Sequence, residues 1–142
     1  MIYLDTGCLL KLYYPEKDSA SVVKLVSAEV IALVLLHELE LANALELKVF
    51  RKEAKPSQVR ATNAQVEDDL RGGTLYRPPV NWEEVLRDAR ALTRTHTRRV
   101  GCRSLDVLHC AVARSLGATS FITTDARQRR LANAIGLPCP SV

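Results

Sequence analysis

Three short apolar runs, each released into a stretch with helical spacing, leave this chain few architectures. Residues 2–4 (Ile-Tyr-Leu), 30–35 and 119–123 form these runs, and residues 30–35 are continuously apolar and rich in β-branched side chains. A run of that kind suits a strand buried on both faces. The first helical stretch carries Leu9, Leu10, Leu12 and Tyr13 and stops at Pro15; a second, capped by Asp18 or Ser19, is expected to reach about residue 27. Further helices are expected over about residues 36–53, from Pro56 to the Gly72-Gly73 pair, from an Asn81 cap to about residue 97, over residues 104–116, and over residues 125–135. Residues 74–80 read as a short edge strand. Strands separated by helices predict an α/β fold: a mostly parallel sheet covered on both faces, in one domain spanning residues 1–142.

Composition narrows the class. A chain of 142 residues can bury one core of its own but not comfortably two. Its 47% hydrophobic and 25% charged residues match a soluble globular domain. No segment approaches the roughly 20 apolar residues of a membrane span. Asp5 and Lys11 interrupt the only apolar run near the N-terminus, so a signal peptide is not expected and a cytoplasmic location is. Cys8, Cys102, Cys110 and Cys139 have no CxxC spacing, which argues against a zinc site or a disulfide framework. The formal charge is +4, and arginines gather at Arg94, Arg98, Arg99 and Arg103 and again at Arg127, Arg129 and Arg130. That pattern invites an anionic partner, although a solvated surface would carry the same residues.

Asp5-Thr6-Gly7 spells the tripeptide with which aspartic proteases present a carboxylate. That chemistry needs two such aspartates in a β-rich frame, and here there is one, followed by a helix. Asp5 and Asp125 instead share a context: each follows an apolar strand and precedes a helix. Ligands of open α/β sheets bind at the carboxyl ends of strands, so both side chains are candidates for that crevice, with helix capping as their other role. Asp106 lies in a helix that is apolar nearly all round, on the face of Cys110 and Ala113, where an ionised carboxylate needs a partner or the free amides of the first turn. In the long helix, Glu40 shares a stripe with Leu36, Ala44 and Leu47, whereas Glu38 lies by Leu41, Leu45 and Val49, a stripe that could face another helix or a subunit. Periodicity favours Glu40 for the crevice.

Convergence of Asp5, Glu40, Asp106 and Asp125 would be costly without a cation. Two unit charges about 4 Å apart repel by about 4 kcal/mol at an effective dielectric near 20. Oxygen-only ligands select a hard ion, Mg²⁺ or Mn²⁺. Such a cation activates water and offsets charge at phosphorus, which is the chemistry of phosphodiester hydrolysis.

Three segments carry a family resemblance: YLDTGCLLKLY at the start, HELELANAL in the long helix, and RSLDVLHCAVARSLGATSFITTDARQRRLANAIGL in the C-terminal half. They resemble the PIN domain family, and within it the VapC-type ribonuclease toxins. The resemblance implies a three-layer α/β/α fold with four to five central strands, and an acidic site for Mg²⁺ or Mn²⁺ at Asp5, Glu40, Asp106 and Asp125. Thr123, in the matching Thr-x-Asp, would orient a carboxylate or a coordinated water. Where the family usually carries a small polar residue, this chain has Gly7, and neighbouring Thr6 is the hydroxyl that could stand in. The family's toxins cut RNA and are silenced by a small antitoxin, so an RNA substrate, a cognate antitoxin and a homodimer are the expected partners. Arg103 and Arg127, close in sequence to Asp106 and Asp125, would hold phosphates, unless they are plain surface charge. His109 could bond a carboxylate or be an ordinary core histidine; His37 carries no usable signal. A non-catalytic RNA-binding module on the same fold is the alternative. A doubly wound domain for a small phosphorylated ligand lacks support, since neither GxGxxG nor GxxxxGK[ST] occurs.

Overall fold

Four two-residue strands, β1 (Tyr3–Leu4), β2 (Ile31–Ala32), β3 (Leu75–Tyr76) and β4 (Phe121–Ile122), run parallel through the middle of the computed structural model, which describes residues 1–142. Tyr3 lies opposite Phe121 and Leu4 opposite Ile122, while Ile31 lies opposite Leu75 and Ala32 opposite Tyr76. A parallel bridge between Ile2 and Ile31 joins the two ladders, with the Ile2 N–H donating to Val30 O at 2.9 Å and the Ala32 N–H to Ile2 O at 3.0 Å. The order is therefore β3-β2-β1-β4, within the predicted strand count.

Alternation along these strands separates two cores, because successive side chains point to opposite faces. Tyr3, Ala32 and Phe121 face one layer, packed by helices α5 (Trp82–Val100), α6 (Ser104–Ser115) and α7 (Ala126–Ala134) through Val85, Leu92, Val107, Cys110 and Leu131. Ile2, Leu4, Ile31, Leu75 and Ile122 face the other, packed by α1 (Thr6–Tyr13), α2 (Ser19–Val26), α3 (Leu35–Phe50) and α4 (Pro56–Gly72). This is the three-layer α/β/α arrangement. No helix is long and apolar enough to cross a membrane, and all four cysteines are free.

Several boundaries differ from expectation for identifiable reasons. The apolar run at 30–35 ends as helix rather than strand, because His37 folds back and its Nδ1 accepts from the Val34 N–H at 3.2 Å, closing the first turn of α3. That helix stops at Phe50, and Lys52 then turns left-handed at φ 61°. Only Leu75–Tyr76 pair at the third strand, since Pro78 and Pro79 beyond them have no N–H for a ladder. α5 runs on to Val100 and ends where Gly101 takes φ 74°. Asn81 caps α5, accepting from the Glu84 N–H at 3.3 Å. Neither Asp18 nor Ser19 caps α2: Asp18 is left-handed at φ 69° with no side-chain bond to the helix, and the Ser19 hydroxyl accepts from Glu16 N–H instead. The Leu41–Leu45 stripe of α3 faces the domain's own core rather than a subunit.

Candidate active site

Asp5 leaves β1 and caps α1, its Oδ1 accepting from the Cys8 N–H at 2.6 Å. Its other oxygen, Oδ2, accepts from the hydroxyl of Thr123 at 2.5 Å. The fully buried Thr123 sits just past β4, and its Oγ1 in turn accepts from the Asp125 N–H at 2.9 Å. One hydroxyl thus joins the carboxyl ends of the neighbouring strands β1 and β4. Asp125 caps α7, with Oδ1 accepting from the N–H groups of Arg127 (2.7 Å) and Gln128 (3.0 Å). Both aspartates are helix caps and wall residues of one crevice, so the two roles weighed from sequence coexist. Burial, then the charge of Asp5, pushes the Cys8 thiol up to about 12, so it stays protonated beside the carboxylate.

Glu40 reaches this crevice from α3. Its Oε2 accepts from the Thr6 hydroxyl at 2.5 Å and from His109 Nε2 at 2.6 Å. Burial opposes its charge, but the hydrogen bonds from His109 and Thr6 outweigh that cost and hold the carboxyl below the usual glutamate range. A carboxylate only accepts, so Nε2 of His109 carries a proton, and Nδ1 takes the hydrogen bond of the Tyr3 hydroxyl at 2.9 Å. Burial, followed by the charge of Glu40, keeps the Tyr3 phenol well above its ordinary pKa. Thr6 is thereby committed to Glu40 and does not supply Asp5 with the hydroxyl that Gly7 lacks. Glu38 points elsewhere and pairs with Arg77 at 2.7 Å.

Asp106 occupies the first turn of α6, and its Oδ2 accepts from the Arg103 backbone N–H at 3.0 Å and from Arg103 Nε at 3.2 Å. The rest of the Arg103 side chain is open to solvent. Arg127 is also exposed and reaches the Gly101 carbonyl at 3.4 Å. Gln128, buried in α7, donates to the Asp106 carbonyl at 3.4 Å and ties α7 to α6.

These residues line a cavity of about 260 Å³ whose wall holds no apolar side chain: Asp5, Glu40, Asp106 and Asp125 with Thr6, Gly7, Arg103, His109, Thr124 and Gln128. The four acids do not press on one another as a dense cluster. No three His, Cys, Asp or Glu side chains converge into a ready-made metal cage. Each acid is stabilised by its own donors, and Glu40 Oε1, Asp106 Oδ1 and Asp125 Oδ2 receive none from the protein. A hard cation that keeps several of its waters and touches one or two carboxylates fits such donors.

Sequence reasoning missed Tyr3, His37 and Gln128 and left His109 open. Gln128 is the one polar member of a buried stripe with Leu131 and Ala132, a signal that spacing could have raised. Tyr3 offered none, because a tyrosine in a buried strand reads as core.

A parallel α/β/α domain with acids at the carboxyl ends of its strands defines the class, and the PIN domain model matches residues 2–134. The chain belongs to the PIN domain family. No curated protein matches it significantly by sequence. Among solved structures it is similar to FitAcB from Neisseria gonorrhoeae (TM-score 0.68, 16% identity, 99% of this chain and 97% of that one). It is also similar to VapBC2 from Rickettsia felis bound to a DNA fragment from their promoter (TM-score 0.64, 16% identity, 99% and 98%).

Proposed function

We propose that this chain is an endoribonuclease dependent on Mg²⁺ or Mn²⁺, the toxin of a toxin–antitoxin pair, acting as a homodimer in the cytoplasm. The observation that carries this reading is the wholly polar cavity at the carboxyl edge of a parallel sheet, walled by Asp5, Glu40, Asp106 and Asp125. Family membership supports the nuclease part, and the likeness to FitAcB and VapBC2 supports the toxin part. Leu39 and Leu105, adjacent in sequence to Glu40 and Asp106, are exposed apolar side chains that an antitoxin or a second copy would cover.

Within this reading Asp5, Glu40, Asp106 and Asp125 are the candidate ligands: one or two of them would touch the cation directly and the others would hold it through its waters. When bound, it activates water and offsets charge on the phosphate. Thr123 keeps Asp5 and the start of α7 in register. Arg103 and Arg127 hold the phosphates flanking the scissile bond. Asp5→Asn and Asp106→Asn should each lower metal-dependent RNA cleavage by about a hundredfold or more, the scale of removing one electrostatic contact to a transition state, while the amide spectrum of each variant remains that of a folded protein. Parent-like cleavage by both variants in Mg²⁺ and Mn²⁺ would falsify these roles.

Gly7 and the lack of a ready-made cage favour a second reading, a PIN-fold module that binds RNA without cutting it. Such a module would hold RNA with strong salt dependence and show no turnover on metal titration.

A further inference from the structure

Glu40 projects from the first turns of α3, yet its carboxylate is held by groups on α1 and α6: Thr6 Oγ1 at 2.5 Å and His109 Nε2 at 2.6 Å. A glutamate has three rotatable bonds, and one at a cavity wall swings into water unless something restrains it. Both restraints act on the same oxygen, Oε2, which leaves Oε1 free. His109 is itself held. Its ring is buried, its Nδ1 accepts from the fully buried Tyr3 hydroxyl at 2.9 Å, and its face lies against the His37 ring at 5.2 Å between centroids. The Tyr3 ring packs against Phe121 at 5.9 Å, so the chain of contacts is anchored in the sheet.

We infer that His109, locked by Tyr3, is a positioning residue for Glu40: its Nε2–H and the Thr6 hydroxyl hold Oε2 so that Oε1 faces the cavity. This rests on the reading of Glu40 as a wall of the cation site. The histidine does more than fill the core, because its two ring nitrogens are spent on one structural partner, Tyr3, and one site partner, Glu40. Such outer partners of a metal-holding carboxylate orient it, and losing one weakens metal affinity about tenfold or more.

The test uses the full chain labelled for side-chain NMR, with Mn²⁺ binding followed by calorimetry. In the parent, the His109 Nε2-bound proton should couple to the Glu40 carboxylate. His109→Leu, folded by its amide spectrum, should show an averaged, shifted Glu40 carboxyl signal and about tenfold weaker Mn²⁺ binding. His109→Gln, whose amide can donate to Oε2, should restore most of both. An unchanged Glu40 signal in His109→Leu overturns the inference, since a merely packed histidine would not move it. If the parent binds no Mn²⁺ while the Glu40 signal still responds, the cation-site reading falls and the positioning stands.

Discussion

Gly7 stands where the family resemblance implies a small polar residue, and its surroundings leave room for one. A Cβ built there would lie 3.4 Å from Asp5 Oδ1, an ordinary contact, and the residue sits in α1 without a positive φ. Glycine within a helix costs about 0.5–1 kcal/mol relative to alanine. Gly7→Ser is therefore expected to raise stability by a few tenths to about 1 kcal/mol in denaturant unfolding. It also places a hydroxyl beside Asp5, so cleavage should rise; a drop in both quantities would show that the cavity tolerates no added atom. Thr123 illustrates a residue whose type was legible but whose partners were not. The Thr-x-Asp pattern marked it, yet its hydrogen bond to Asp5 spans 118 positions.

His37 ties two elements together. It closes the first turn of α3 through Nδ1, and its Nε2–H donates to the Leu4 carbonyl at the end of β1 at 2.8 Å. Burial, with the neighbouring His109 ring next, pushes its pKa down to about 3. The unfolded chain, with an ordinary value near 6.5, binds one more proton between these limits. Stability is therefore full above about pH 6.5 and is lost as the pH falls, by about 1.4 kcal/mol per unit from this group. Glu40, also depressed, adds its loss only below the ordinary glutamate range, so it does not contribute between pH 7.5 and 5.5. Between pH 7.5 and 5.5 the unfolding free energy from denaturant titration should fall by about 1.4 kcal/mol more in the parent than in His37→Gln, whose amide can keep both bonds. Equal losses would remove His37 from the account.

At the scale of the whole molecule the charge is +4, but its placement matters more than its sum. Arg103 lines the cavity, and Arg127, two residues after Asp125 on its rim, reaches from there to Gly101 at the end of α5, whose last turn carries Arg98 and Arg99. Binding of a short single-stranded RNA to Asp5→Asn protein should weaken with salt, and adding Arg103→Ala or Arg127→Ala should each lower the slope of log K against log salt by about 1. A slope untouched by either change would mark both arginines as solvated surface.

The order of strands and helices, and the acids at strand ends, were legible because they rest on local chemistry. Apolar spacing sets the period, prolines and glycines end the elements, and Asp5 and Asp125 each stand between a strand and a helix. Choosing Glu40 over Glu38 from its stripe reached the residue that lines the cavity, although the more deeply buried stripe is the one with Leu41 and Leu45. Periodicity shows that a helix has a buried face but not what packs on it. What the sequence determined by itself was the α/β class and a set of candidate acids. Only the tertiary structure decided that these acids stand apart, each with its own donors, and that Tyr3 reaches Glu40 through His109. The physical reason is distance along the chain: Tyr3 and His109 are 106 positions apart, and no local pattern encodes which buried polar groups will meet.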